Sequence, residues 1–172
     1  YPFRAPQRVR FNPYNSDEMW VLSNGNGAVV GTRPTTFSEW QLRRFGAQAG
    51  NPLVAGAGAD PDGDGWVNFQ EYVSGTNPLA ADPPPPRPSQ AAPGAALDLA
   101  FSRAPAASDV TWLIEGSSDL STWQTLAQST GQGAWTVLGG QLTETNGVVA
   151  FSDSALPAAL AKRFLRVCAS SP

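Results

Sequence analysis

Histidine is absent from this chain of 172 residues, cysteine occurs once, at Cys168, and charged residues make up only 15%. Each scarcity excludes something. Without histidine the chain cannot by itself assemble a Ser-His-Asp or Cys-His catalytic group, a His-ligated zinc, or a haem held through imidazole. A single cysteine allows no disulfide and no Cys-rich metal site within one copy. The 11 basic residues, ten arginines and Lys162, face 14 acids for a formal charge of −3. They form no phosphate-binding stripe, so nucleic acid is not an expected partner. No apolar run reaches the roughly 18 residues that would suggest a membrane span. The chain begins at Tyr1 with neither Met nor a signal peptide, and it reads as a mature or excised piece of a longer protein.

Glycine (17) and proline (16) are plentiful instead, and they divide the chain into four parts. Residues 1–35 read as a β-hairpin segment. Residues 36–82 hold a helix and an acid cluster, residues 83–94 are a Pro-rich linker, and residues 95–172 are β again. In the linker, Pro83 to Pro86 fix φ and favour an extended polyproline II spacer over a PxxP ligand.

In the first part, Arg8-Val9-Arg10-Phe11 alternates with the period of a half-buried strand. Met19-Trp20-Val21-Leu22 suits a buried strand. Asn24-Gly25-Asn26-Gly27 tolerates the positive φ of a hairpin turn, so that Ala28-Val29-Val30 can return as a partner. Strands this few cannot bury a core alone and must pack on something else.

Thr36-Phe37-Ser38-Glu39 fits a capping box at a helix start. Phe37, Trp40 and Phe45 form an apolar stripe, Arg43 and Arg44 favour the C-terminal dipole, and Gly46 can supply a left-handed cap. Trp40 could serve as a sugar-stacking platform, but at this spacing it reads as core.

The most informative segment runs from Asp60 to Glu71, Asp60-Pro61-Asp62-Gly63-Asp64-Gly65-Trp66-Val67-Asn68-Phe69-Gln70-Glu71. With Asp60 as position 1, aspartates fall at 1, 3 and 5, glycine at 6, asparagine at 9 and glutamate at 12. That is the ligand order of an EF-hand calcium loop. Calcium (Ca2+) takes six to eight oxygens at about 2.3–2.6 Å, and alternating side chains converge on one centre as the chain winds round it. Gly65 permits the sharp turn that aims the Trp66 carbonyl inward, Asn68 adds an oxygen directly or through water, and Glu71 closes the shell with two. The expected metal ligands are therefore Asp60, Asp62, Asp64, Trp66, Asn68 and Glu71. Four carboxylates so close would repel one another unless a cation or solvent screened them, and a solvated acidic turn without metal is the alternative reading. After the loop, Phe69, Tyr72 and Val73 share one helical face, Gly75 ends the helix and Pro78 prevents its continuation. Before it, residues 47–59 are rich in Gly, Ala and Pro and offer no entering helix. The expected unit is a loop with its exiting helix, a structural staple rather than a sensor.

Three resemblances accompany these residues. Val9-Arg10-Phe11-Asn12-Pro13-Tyr14-Asn15, with Trp20-Val21 through Gly25-Asn26-Gly27, is similar to the closing blade of secreted β-propellers with BNR-type repeats, including sortilin-like and xyloglucanase-like ones. It implies a strand set that completes a partner polypeptide; an ordinary hairpin packed on its own domain fits the same residues. The calcium loop resembles the half-motifs of dockerins and thrombospondin type 3 repeats, without a dockerin's second loop. Phe37-Ser38-Glu39-Trp40, the loop, Gly75-Thr76-Asn77-Pro78, Ser117-Ser118-Asp119-Leu120-Ser121-Thr122-Trp123 and Phe164-Leu165-Arg166-Val167 together resemble a recurrent tail of large secreted bacterial proteins. What that resemblance implies is an extracellular accessory module, often attached to adhesins or polysaccharide-active proteins, with no catalytic residues.

In the last part, Leu97–Phe101, Val110–Glu115, Trp123–Leu126, Trp135–Leu138, Val148–Phe151 and Phe164–Val167 are strand candidates separated by turn residues. They suit an antiparallel, immunoglobulin-like sandwich, with Trp123 led into its core. Cys168 reads as a small apolar residue, since no His or Lys neighbour in sequence would lower its pKa.

The expected fold class is mainly β with a short helical calcium-binding segment. The expected function is a non-catalytic, calcium-stabilised structural or adhesion module of a secreted or surface protein. Its expected partners are the rest of its precursor or neighbouring copies, through strand pairing, with carbohydrate as a further candidate. The alternative is the C-terminal fragment of a propeller-type polysaccharide-degrading enzyme. Glycoside hydrolysis needs two placed carboxylates, and none of the acids outside the loop stands out as such a pair.

Overall fold

A computed structural model describes residues 6–14, 18–23, 27–83, 89–90, 96–154 and 162–171. The expected turns at 15–17 and 24–26, and the spacer residues 84–88 and 91–94, lie outside them.

The chain is mainly β, with three antiparallel sheets and short helices. Strands β1 (Pro6–Phe11), β2 (Glu18–Ser23) and β3 (Gly27–Thr32) form a meander in sequence order. Val21, on the central strand, is buried, but Val9, Phe11 and Val30 are exposed. The alternation in β1 correctly marks a strand, yet its apolar side faces solvent in this chain.

Helix α1 (Phe37–Phe45) starts where the capping box places it. Glu39 N–H donates to Thr36 Oγ1 at 3.3 Å, and Thr36 N–H donates to Glu39 Oε2 at 3.1 Å. Trp40 and Phe45 are buried, so Trp40 is a core residue. Gly46 has φ 53° and ψ −119°, which is not the left-handed helical cap expected of it. The chain instead tightens into a 3-10 turn over Gly46–Gln48. Helix α2 (Asn68–Ser74) follows the acidic loop and ends at Gly75, which does adopt the left-handed conformation, with φ 85° and ψ 21°.

The remaining strands make two four-stranded sheets. The first contains β4 (Ser89–Gln90), β5 (Leu97–Ser102), β9 (Gln141–Thr145) and β10 (Val148–Ser152), in the order β4-β5-β10-β9. The second contains β6 (Thr111–Ser117), β7 (Gln124–Thr130), β8 (Thr136–Val137) and β11 (Phe164–Ser170), in the order β11-β6-β7-β8. Leu99, Val149 and Phe151 from the first sheet meet Ile114, Leu126 and Ala127 from the second in one apolar cluster. A buried ion pair ties the return to β11: Arg163 Nε donates to Asp153 Oδ2 at 2.5 Å and Nη2 to Oδ1 at 3.2 Å.

Further elements differ from the sequence expectation. Ser89–Gln90, inside the expected linker, pairs with Asp98 and Leu97 of β5 as β4. Strand β9 has a mostly polar sequence with only Leu142 as an apolar anchor, so periodicity does not reveal it. Its signal is the Asn146-Gly147 turn, where both residues take positive φ (52° and 74°), as a tight hairpin requires. Trp123 precedes β7 and is not in the core. It is half-exposed, with the Arg166 guanidinium 3.9 Å above its ring and its indole N–H donated to the Leu120 carbonyl.

A second apolar cluster joins Trp40, Phe45, Ala55, Tyr72 and Val73 to Ala104, Ala107, Val110 and Trp112. The helical segment and the β part therefore share buried surface. Backbone hydrogen bonds reinforce the contact: Thr35 N to Ala106 O (2.7 Å), Ser108 N to Thr35 O (3.0 Å) and Ala104 N to Val73 O (2.8 Å). This places α2, and the acidic loop before it, against a fixed support.

Candidate metal centre

The acidic loop is built by its own short-range hydrogen bonds. Gly63 N–H and Gly65 N–H donate to the two oxygens of Asp60, at 2.9 and 3.0 Å. Asp64 N–H donates to Asp62 Oδ1 at 3.3 Å, and Trp66 N–H to Asp64 Oδ1 at 2.7 Å. Aspartates at alternating positions thus turn the chain inward, each accepting from backbone a few residues ahead. Gly65 has φ 94°, a conformation that residues with a Cβ rarely adopt, and it makes the turn the spacing calls for.

The exit is a helix start. Val67 N–H donates to Gln70 Oε1 at 3.1 Å, half of a capping arrangement, since valine has no side-chain acceptor to complete it. Asn68 then locks the loop to the chain before it. Its amide Nδ2 donates to the Val54 and Gly56 carbonyls, both at 2.8 Å, and its backbone N–H donates to Ala59 O at 2.8 Å. Phe69 N–H donates to Ala57 O. The Gly/Ala-rich stretch thus serves as the loop's scaffold in place of an entering helix.

The first turn of α2 carries Glu71 into the interior. Its side chain is fully buried, and neither carboxylate oxygen accepts a hydrogen bond from the protein. Asp62 Oδ2 and Asn68 Oδ1 are likewise buried and without a donor. Burial first, and then the charges of Asp62, Asp64, Asp82 and Asp60, push the Glu71 carboxyl up from its ordinary 4.5 to about 7. A buried carboxylate with no donor and four acidic neighbours is costly unless a cation or a proton compensates it.

The oxygens converge. One oxygen each from Asp60, Asp62 and Asp64 lies within 4.8 Å of the others, and the same holds for Asp64, Glu71 and Asp82. Of the expected ligands, the structure thus gathers Asp60, Asp62, Asp64 and Glu71. Asn68 Oδ1 is buried without a donor, but no distance places it among these oxygens. Trp66 continues the loop, its indole Nε1 donating to the Pro83 carbonyl at 3.3 Å. Asp82 was not among the expected ligands, because it lies beyond the twelve-residue pattern; only the fold brings it here.

The donor set is all oxygen and strongly anionic. Such a set could hold a hard divalent cation. The orphaned oxygens of Glu71, Asp62 and Asn68 fit that group.

Other described acids serve structural contacts. Glu144 pairs with Arg103 at 2.9 Å and Glu115 with Arg166 at 2.8 Å. Asp109 accepts from Tyr72, from Phe37 N–H (3.0 Å) and from Ser171 Oγ (3.2 Å). Asp119 accepts the Thr122 and Ser121 N–H groups, which hold its carboxyl below the usual range. Cys168 is half-buried beside Glu115, and burial followed by that carboxylate pushes its thiol up, away from nucleophilic use. Among the described residues no helix is long and apolar enough to cross a membrane. No protein-family model, curated protein or solved structure matches the chain.

Proposed function

We propose that this chain is a non-catalytic, calcium-stapled module of a larger secreted or cell-surface protein, with a structural or adhesive role. The observation that carries the reading is Glu71, fully buried, with both oxygens lacking a donor and facing a crowd of aspartates. Asp60, Asp62, Asp64 and Glu71 would hold the ion, with Asn68 and the Trp66 carbonyl completing the shell. Bound calcium would supply the positive charge that no nearby side chain of the loop provides.

The protein's part is to hold the oxygens in place. Asn68 fastens the loop to residues 54–56, and Tyr72 and Val73 fasten α2 to the β part. With a single loop, there is no helix pair to open, so the metal stabilises rather than signals. The two four-stranded sheets, joined through Leu99, Ile114, Leu126 and Phe151, are read as an immunoglobulin-like sandwich. The exposed Val9, Phe11 and Val30 favour pairing or packing of the N-terminal sheet with the parent protein or a neighbouring copy.

Thermal unfolding of the full chain in calcium and in EGTA tests the staple. Calcium at a hundredfold excess over its dissociation constant adds about 2.7 kcal/mol by mass action. Identical melting in the two buffers would refute the reading.

A further inference from the structure

We infer that Asp82, eleven residues past the end of the loop, is a ligand of the same ion, and that the ion thereby fastens the junction where the helical segment meets the Pro-rich stretch. This rests on the calcium reading and extends it beyond the twelve-residue pattern.

The chain is turned back deliberately to bring Asp82 in. Helix α2 stops at Gly75, whose N–H donates to the Glu71 carbonyl at 2.7 Å. Pro78 is fully buried. Asn77 organises the return: its side chain accepts from Leu79 N–H at 3.3 Å and its carbonyl from Ala80 N–H at 3.1 Å. Asp82 closes the turn by accepting Asn77 N–H on Oδ2 at 2.8 Å. It also docks on the loop, its own N–H donating to Asp64 Oδ2 at 2.7 Å. The next residue, Pro83, accepts the Trp66 indole N–H.

Closing the turn accounts for one Asp82 oxygen, but not for an acid at this place. Asparagine or serine would cap Asn77 equally well. What needs explaining is a third carboxylate within 4.8 Å of Glu71 and Asp64, where Glu71 is fully buried and lacks any donor. Oxygens about 2.3–2.6 Å from one calcium lie at most about 5 Å apart, so each triad fits inside one coordination shell. Asp64 belongs to both triads, which makes one shared centre the economical arrangement.

Residues 64 and 66 on the loop thus meet residues 82 and 83 on the outgoing chain through two hydrogen bonds and, with calcium bound, through a shared ion. The metal then holds Asp82 and Pro83 against the loop.

The test is calorimetric titration of calcium chloride into the EGTA-stripped full chain, for wild type, Asp82→Asn and Asp98→Asn. Asp82→Asn keeps an acceptor for Asn77 N–H and removes only the charge, and melting in EGTA verifies that it folds. The inference expects one calcium per wild-type chain, an affinity at least about tenfold weaker in Asp82→Asn, in line with ligand charge setting calcium affinity, and no change in Asp98→Asn. Wild-type affinity in a folded Asp82→Asn, or two ions per chain, overturns the inference and leaves the loop reading standing. Absence of binding by wild type overturns both.

Discussion

Tyr72 Oη lies 2.6 Å from the Thr35 carbonyl oxygen and 2.5 Å from Asp109 Oδ1, each acceptor 37 residues away along the chain, one on either side. One phenolic proton thus serves two acceptors, and burial together with the Asp109 carboxylate pushes the phenol well above its ordinary range. Because Tyr72 follows Glu71 in α2, the residue that anchors the β part stands directly beside the residue at the centre of the acidic site.

Tyr72→Phe removes that proton and leaves the ring in place against Phe37, Trp40 and Phe69. Asp109 keeps the Phe37 and Ser171 donors on its other oxygen. The expected cost is about 1.5–3 kcal/mol, the range for a hydrogen bond to a charged group. It is read as a lower urea midpoint at constant slope. A variant as stable as wild type would show that the contact is dispensable.

Glu71→Gln and Asn68→Ala should act in different ways. Glu71→Gln removes a buried charge from among four aspartates, so in EGTA at pH 8 the variant should melt at or above the wild-type temperature. Its gain from calcium should fall from about 2.7 kcal/mol at a hundredfold excess to below about 1 kcal/mol. Asn68→Ala strips the donors from the Val54 and Gly56 carbonyls, at about 1–3 kcal/mol for each group left unsatisfied, and the loss should be present in EGTA as well as in calcium. Melting curves of both variants in both buffers separate these effects. A Glu71→Gln variant that is less stable than wild type in EGTA yet responds fully to calcium would contradict the assignment.

Acid should affect the metal-free and the calcium-loaded protein in opposite ways. Glu71 is raised from 4.5 to about 7, so between those values the folded chain holds a proton that the unfolded chain has released. Stability in EGTA then decreases as pH rises from about 4.5 to about 7 and levels off above. Calcium binding needs the ionised carboxylate, so affinity should rise over the same interval as the competing proton leaves. Melting in EGTA across pH 5 to 8, paired with calcium titrations, checks both signs. A metal-free protein that gains stability through that window would count against a buried, unpartnered Glu71.

Local patterns were legible where the physics is local. The capping box of Thr36 and Glu39 and the end of α2 at Gly75 act over a few residues, and the structure has both, whereas Gly46 does not take the left-handed cap expected of it. Most strands of the last part were also visible as apolar runs between turns. Strand β9 was not, because Gln141–Thr145 is held by pairing with β10 rather than by apolar periodicity. Trp123 lies outside the core, although a turn over Asp119-Leu120-Ser121-Thr122 is expected to lead it inward. In the fold, Asp119 caps that turn and Arg166 covers the ring from β11, a strand far along the chain.

The spacing of Asp60, Asp62, Asp64 and Glu71 is a property of one short stretch, twelve residues wound around a glycine, although its docking on residues 54–59 is not. Sequence alone therefore determined the acid order, the helix that follows it and the β character of the flanks. Tertiary structure decided that β5 pairs with β10 and β6 with β11, that Val9 and Phe11 face solvent, and that Asp82 returns to Asp64 and Glu71. Those outcomes depend on contacts between segments separated by tens of residues, each weak alone, and only their sum in the folded chain selects one arrangement.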